Sequence, residues 1–137
     1  MTEEAKYALV RNWLIKALHD LATARKLASD PDPYLDTAIF HCQQAAEKAL
    51  KGFLVFHDQR FDKTHDLRTI IRLATPFDDT FSSFIEIGEL LTPYAVIFRY
   101  PGDVMEPSPS EFKQAFNAAE DLYNFVLSVL PEKTYPL

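Results

Sequence analysis

Hydrophobic side chains recur along most of the chain at steps of three and four residues, the spacing of one face of an α-helix. From Ala5 to Ala28 this apolar stripe consists of Leu9, Trp13, Ala17, Leu21, Ala24 and Leu27. Further helical patterns cover residues 35–56, 66–74, 79–91 and the stretch from Ser108 to Pro131. No segment alternates with the two-residue period of a strand between hairpin turns, so the pattern predicts an all-α protein.

Proline and capping residues predict where these helices begin and end. The sequence "SDPDP" at 29–33 ends the first helix, because proline removes a backbone donor and restricts the residue before it. Thr64 is the predicted N-cap of the short third helix, and Pro93 interrupts the fourth, after which "YAVIFRY" continues for another turn or two. "SPSE" at 108–111 combines an N-cap, a first-turn proline and a capping-box acid. About five helices with short connections predict one domain over 1–137, an up-and-down antiparallel bundle.

The second predicted helix has an unusual polar face. His41, Gln44, Lys48 and Lys51 cluster opposite the apolar arc. Phe40 falls on this polar side, which predicts that something covers part of the face, and a partner chain is the cover we expect. The small residues Ala45, Ala46 and Ala49 predict close approach to a neighbouring helix.

Composition narrows the class of protein. The 137 residues carry a net charge of −6, which argues against a surface that binds nucleic acid all over, and we expect no DNA partner. The charge is uneven, since residues 47–72 hold six Lys/Arg against four acids. Cys42 is the single cysteine, so a cytoplasmic context without disulfides is expected. Neither a signal peptide nor a membrane span is predicted.

Several kinds of site find no support in the sequence. There is no Gly-rich phosphate loop and no His- or Cys-pair metal motif, so we expect no metal and no cofactor. A set of polar residues without an obvious role in the core remains. It comprises Gln44, Lys48 and Lys51 on the second helix, Lys63, His65 and Asp66 near the third, and Arg99 with Tyr100 after the fourth. Arg and Lys suit phosphate, His can exchange protons near neutral pH, and an exposed Tyr can stack on a base.

Each of these residues also has a structural interpretation. Glu47 and Lys51 have the spacing of an ordinary helix-surface ion pair, and Asp66 favours the dipole of a helix start. The structural interpretation of His65 is a hydrogen bond to a backbone group. For Arg99, a salt bridge to an acid across the bundle is as plausible as ligand binding.

Four segments, in order, resemble the HEPN domain family, named for higher eukaryotes and prokaryotes nucleotide-binding. "WLIKALHDLATARKL" at 13–27 resembles its first helix, and "HCQQAAEKALKGFLV" at 41–55 its Q-A-x-E-K-x-L-K hallmark. "KTHDL" at 63–67 is similar to a Lys-x-His-x-Leu segment, and "FRYPGD" at 98–103 to an Arg-Tyr-Pro element. The resemblance covers nearly the whole chain and implies a stand-alone prokaryotic member.

The resemblance implies a helical bundle that usually dimerises and is often encoded beside a small nucleotidyltransferase, in modules like toxin–antitoxin pairs. In members that cleave RNA, an Arg holds the scissile phosphate and a His four to six residues later transfers protons, commonly across the dimer. Here the corresponding positions after Arg99 hold Val104, Met105 and Glu106. Whether this chain is an enzyme is therefore left open by its sequence.

Three hypotheses follow from these residues. The first is a protein that binds a nucleotide, RNA or a nucleotidyltransferase through the polar set, with Gln44, Lys48, Lys51, Lys63, Asp66 and Tyr100 as ligand-binding residues. The second is a metal-independent ribonuclease toxin in which Arg99 holds the phosphate and His65 transfers protons. The third is a non-catalytic scaffold dimer in which Arg99 only ties helices together.

Overall fold

A computed structural model describes residues 1–102 and 105–136 of the chain. Within these residues the secondary structure consists of five α-helices and three short 3-10 turns, without strands. The helices are α1 (Glu3–Ser29), α2 (Leu35–Phe56), α3 (Leu67–Ala74), α4 (Ile85–Leu91) and α5 (Pro109–Ser128), and the turns are Asp79–Phe84, Thr92–Ala95 and Glu132–Thr134. The predicted all-α bundle is confirmed. No helix of the described residues is both long and apolar enough to cross a lipid bilayer.

The helix starts follow the capping signals with one exception. Ser108 accepts a hydrogen bond from the backbone N of Glu111, as predicted. The Glu111 carboxylate accepts from the Tyr94 hydroxyl at 2.5 Å and so ties α5 to the turn after α4. Thr64 is not the cap of α3, because Asp66 accepts from the backbone N of Arg68, whereas Thr64 accepts only from the backbone N of Asp66.

The predicted fourth helix is only half α-helical. Its first part, Asp79–Phe84, is a 3-10 turn, and α4 begins at Ile85. The hydroxyls of Ser82 and Ser83 donate to the carbonyls three residues earlier, a local pattern that competes with the α-helical ladder. After Pro93 the chain continues through the predicted extra turn.

The core side of α1 is rotated relative to the predicted stripe. Val10 and Leu14 are fully buried, whereas Leu9 is 40% exposed. At 100° per residue Leu9 lies about 100° from the centre of the buried arc, so it borders the core without entering it. The predicted small residues Ala45, Ala46 and Ala49 are fully buried, and α2 approaches α1 closely at Gly52, where an added Cβ would lie 3.1 Å from the Cβ of Trp13.

The connector between α2 and α3 (57–66) runs back along α2. It leaves α2 through Asp58, whose φ of 56° is left-handed, and returns so that the carbonyl of His65 accepts from Gln43 Nε2 at 3.0 Å. As a result α3 starts beside the middle of α2 and places His65 against that helix.

Candidate functional site

Asp20 is a carboxylate buried between α1 and α2. The two helices run antiparallel, and Asp20, only 7% exposed, faces His41 and Lys48, which are two turns apart on α2. Its two oxygens contact His41 Nδ1 at 2.8 Å and Lys48 Nζ at 2.7 Å. Burial by itself raises the pKa of Asp20, but the hydrogen bonds from His41 and Lys48 and the attraction of their charges outweigh burial and lower it. We call these three residues the Asp20 cluster.

His41 is oriented by this contact. An ionised carboxylate only accepts hydrogen bonds, so Nδ1 is the donor and the other ring nitrogen, Nε2, is left for another contact. Nε2 makes no hydrogen bond to any residue that the structure describes. The neighbouring Cys42 is no candidate nucleophile, because it is fully buried and burial raises its pKa to about 12.

Arg99 lies next to His41, on the segment that follows α4. Phe98 has a left-handed φ of 67°, which is uncommon for a bulky residue, and the chain turns sharply there. Arg99 Nη1 donates to the carbonyl of Ala95 at 2.6 Å, and its guanidinium carbon lies 4.0 Å from the centre of the Phe40 ring. Arg99 forms no ion pair within residues 1–102 and 105–136, so the predicted alternative of a salt bridge across the bundle finds no partner there.

Two adjacent cavities meet at Arg99. The first, of about 280 Å³, is lined by Asp36, Thr37, Phe40, His41, Phe98 and Arg99. The second, of about 430 Å³, shares Asp36, Phe98 and Arg99 and continues past Tyr100 to Glu106. Together they form one polar depression, which we call the Arg99 groove.

Glu47 is the centre of a second polar cluster on α2. It is 5% exposed, and its oxygens contact Gln43 Nε2 at 3.2 Å, Lys51 Nζ at 3.0 Å and His65 Nδ1 at 2.6 Å. Lys51 also lies over the ring of Phe61, 5.5 Å from its centre. Glu47 and Lys51 form the predicted ion pair between residues four apart on a helix, but the pair is buried and does not lie on the helix surface. We call Gln43, Glu47, Lys51 and His65 the Glu47 cluster.

Comparison with known proteins identifies the family. The model of the HEPN domain matches residues 10–130. The chain belongs to the HEPN domain family. It is similar to the crystal structure of ST0689, an archaeal HEPN homologue, with a TM-score of 0.66 and 28% identity over 87% of this chain and 95% of that one. No curated protein sequence matches it.

In this HEPN chain the predicted site residues fall into separate groups. Arg99 and Tyr100 line the Arg99 groove, where the Tyr100 ring is 58% exposed. Lys48 belongs to the Asp20 cluster, whereas Lys51 and His65 belong to the Glu47 cluster. The amide of Gln44 lies between the two clusters and donates to Gln43 Oε1 at 2.7 Å.

The two remaining predicted residues lie near the connector. Asp66 caps α3 and pairs with Arg68 at 3.1 Å, and its hydrogen bond with Arg68 is the main reason that its pKa is lowered. Lys63 is exposed and has no ion pair among the described residues. No three His, Cys, Asp or Glu side chains of the described chain converge in a way that could hold a metal ion.

Arg99 and His65, the predicted catalytic pair, do not share a cavity. Arg99 lies over Phe40 and His65 contacts Glu47, seven residues further along α2, which is about 10 Å along the helix axis. Of the positions after Arg99 where the family's His falls, Val104 lies outside the described residues.

Sequence reasoning missed His41 and Asp20 as members of the site. One signal for His41 was present, because it shares the polar face of α2 with Gln44 and Lys48. The signal for Asp20 was weaker: it is an acidic residue directly next to the apolar stripe of α1 in the sequence. Part of the cover of Phe40, the apolar residue on the polar face, comes from Arg99 of the same chain; cover by a partner chain stays a prediction.

Proposed function

We propose that this HEPN protein binds a nucleotide or RNA through the Arg99 groove and acts together with a small nucleotidyltransferase. HEPN proteins are associated with nucleotide- and RNA-related functions and often dimerise. We further propose that this chain is a homodimer that acts in the cytoplasm, as a component of a two-component module.

The arrangement of Arg99 supports binding. Its guanidinium is exposed and fixed by Ala95 and the Phe40 ring, and it has no carboxylate partner in the part of the chain that the structure describes. A guanidinium has five N–H donors in a planar fork that matches phosphate oxygens, and among the described residues Arg99 donates only to the backbone carbonyl of Ala95. The exposed Tyr100 ring beside it offers a surface on which a base can stack.

The proposal is tested with a fluorescently labelled single-stranded RNA and measurement of its anisotropy. Arg99→Ala is expected to weaken binding at least about tenfold and to lower the slope of log K against log salt by about 0.7, the contribution of one phosphate contact on a single strand. Arg25→Ala is the matched control, because Arg25 is also an exposed Arg over an aromatic ring, that of Phe116, but lies away from the groove. Equal binding by wild type and Arg99→Ala would contradict the role of Arg99.

The partner is tested by co-purification. The tagged protein is expected to retain a nucleotidyltransferase encoded by the adjacent gene when the two are expressed together. The absence of such a gene, or of the complex, would remove this part of the proposal and leave nucleotide binding standing.

The two alternatives have distinct outcomes in the same RNA assay. Cleavage of the RNA by wild type that is lost in both Arg99→Ala and His65→Ala would support the ribonuclease. Because Arg99 and His65 lie apart within one chain, such a site would require a second subunit to bring the two side chains together. For the scaffold, Arg99→Ala would lower thermal stability and leave every ligand measurement unchanged.

A further inference from the structure

The Arg99 groove contains a second group that can carry positive charge. Arg99 and His41 line the same cavity of about 280 Å³, and the ring of Phe40 contacts both of them. The His41 side chain is 25% exposed, and Asp20 holds it through Nδ1, which leaves Nε2 without a partner among the described residues. The groove therefore offers two separate donors, a permanent guanidinium and an imidazole whose charge depends on pH.

The charged groups around His41 come from α1, from α2 and from the segment after α4. Asp20 contacts it from α1, Lys48 neutralises Asp20 from α2, and Asp36 and Arg99 line the cavity. Asp20 and Lys48 cancel each other, so a proton on His41 adds a net positive charge beside Arg99. Asp36, whose carboxylate accepts from the backbone N of Thr37 at 2.8 Å, is the one acid that the cavity itself contributes.

We propose that this cavity binds a terminal phosphate group, held by Arg99 and protonated His41, and that binding of the phosphate is linked to uptake of a proton by His41. The proposal rests on the proposed binding of nucleotides and names the chemical class of ligand and its regulation by pH. A terminal phosphate ends a free nucleotide or the 5′ end of an RNA, and the cavity recognises the group that the two share.

Charge matching favours a terminal phosphate over an internal one. A phosphodiester carries one negative charge, which Arg99 alone can satisfy. A phosphomonoester carries about −1.5 to −2 at pH 7 and offers three acceptor oxygens, so it can use a second cationic donor. Because its second pKa is about 6, a phosphomonoester is mostly a dianion near neutral pH, a charge that Arg99 alone does not balance.

The experiment measures binding by calorimetry at pH 6.5 and pH 8.0 and constant ionic strength. The ligands are adenosine 5′-monophosphate, the phosphodiester dinucleotide ApA, and one hexaribonucleotide with either a 5′-phosphate or a 5′-hydroxyl. We expect the ligands with a terminal phosphate to bind about fourfold more tightly at pH 6.5 than at pH 8.0, the effect of raising one imidazole pKa by about one unit on binding, from its ordinary value of about 6.5. ApA and the 5′-hydroxyl RNA are expected to show little pH dependence. Tight binding of the monophosphate alone would identify a free nucleotide as the source, and a gain from the 5′-phosphate would identify an RNA end.

Two variants test the role of His41. His41→Gln keeps a polar side chain but cannot gain a charge, so the pH dependence should disappear, whereas His19→Gln, an exposed histidine on α1, should behave as wild type. Thermal unfolding checks that His41→Gln is folded. If it is not, Asp20→Asn serves instead, because loss of the charge beside Nδ1 should move the pH dependence to lower pH.

The result that overturns the proposal is equal affinity for ligands with and without a terminal phosphate, or tighter binding at pH 6.5 that persists in His41→Gln. If RNA binding depends on Arg99 while either of these results is found, only this inference fails. If neither RNA nor the monophosphate binds at all, nucleotide binding by the Arg99 groove fails with it.

Discussion

The Asp20 cluster and the Glu47 cluster are built from the same parts but differ in which side chains reach water: in the Glu47 cluster the histidine, His65, is 65% exposed while the lysine is buried. Each has a buried carboxylate that accepts from one histidine Nδ1 and one lysine Nζ. In the Glu47 cluster the lysine is sealed, with 9% of its side chain exposed, whereas Lys48 in the Asp20 cluster is 27% exposed. The amide of Gln43 adds a further donor to Glu47 and connects it to the backbone of the connector.

This difference separates a structural cluster from a site. Glu47 and Lys51 are both buried and neutralise each other's charge with little contact with solvent, so they hold α2 and the returning connector together. The partners of Asp20 reach solvent, and one of them, His41, lines the Arg99 groove. Two clusters of the same residue types on α2 therefore differ in role: the Glu47 cluster stabilises the fold, and the Asp20 cluster can contribute to ligand binding through His41.

Glu47→Ala is expected to have the largest effect on stability. It leaves the ammonium of Lys51 buried without its carboxylate, and breaking a buried pair in this way costs about 3–5 kcal/mol. The free energy of unfolding from urea denaturation measures this loss. The double variant Glu47→Ala, Lys51→Met is the control, because it removes both charges and should recover a large part of the loss. A cost below about 1 kcal/mol for the single variant would show that water reaches Lys51 and would remove the contrast between the clusters.

The local parts of this structure could be predicted from the sequence, and the contacts across helices could not. The bounds of α2 and the start of α5 follow from prolines, caps and a 3.6-residue period, which act within a few residues of the chain. The pairing of Asp20 with His41 depends on how α1 is rotated and shifted against α2, and the predicted stripe included Leu9, which lies about 100° from the centre of the buried arc. Likewise, His65 reaches Glu47 only because the connector turns back at Asp58, and no spacing in the sequence indicates that path.

Asp20→Asn is expected to cost less, about 1–3 kcal/mol at pH 7, the range for hydrogen bonds to a charged group, because Lys48 and His41 can turn to water. The loss should depend on pH in a defined direction. Since the pKa of Asp20 is lowered in the folded state, its ionised form stabilises the fold above the unfolded value of about 3.9, and this contribution disappears as the pH falls through the lowered pKa.

Urea denaturation of wild type and Asp20→Asn at pH 7, 5 and 3 checks this direction. The difference between the two proteins should shrink from pH 5 toward pH 3, where Asp20 becomes protonated. A difference that grows between pH 5 and pH 3 would mean that burial dominates the pKa of Asp20, and the compensation by Lys48 and His41 would be wrong.

His65→Gln is expected to have the smallest effect. The His65 side chain is 65% exposed, and Glu47 keeps both Lys51 and Gln43 when the imidazole is removed. An exposed ionic contact contributes about 0–1 kcal/mol, so the unfolding midpoint should shift by no more than a few degrees. Affinity for the terminal phosphate and its pH dependence should stay as in wild type, because His65 lies two turns of α2 away from the Phe40 ring that supports Arg99. If His65→Gln removed the pH dependence and His41→Gln did not, the roles of the two clusters would be exchanged, and the proton-linked site would lie beside Glu47.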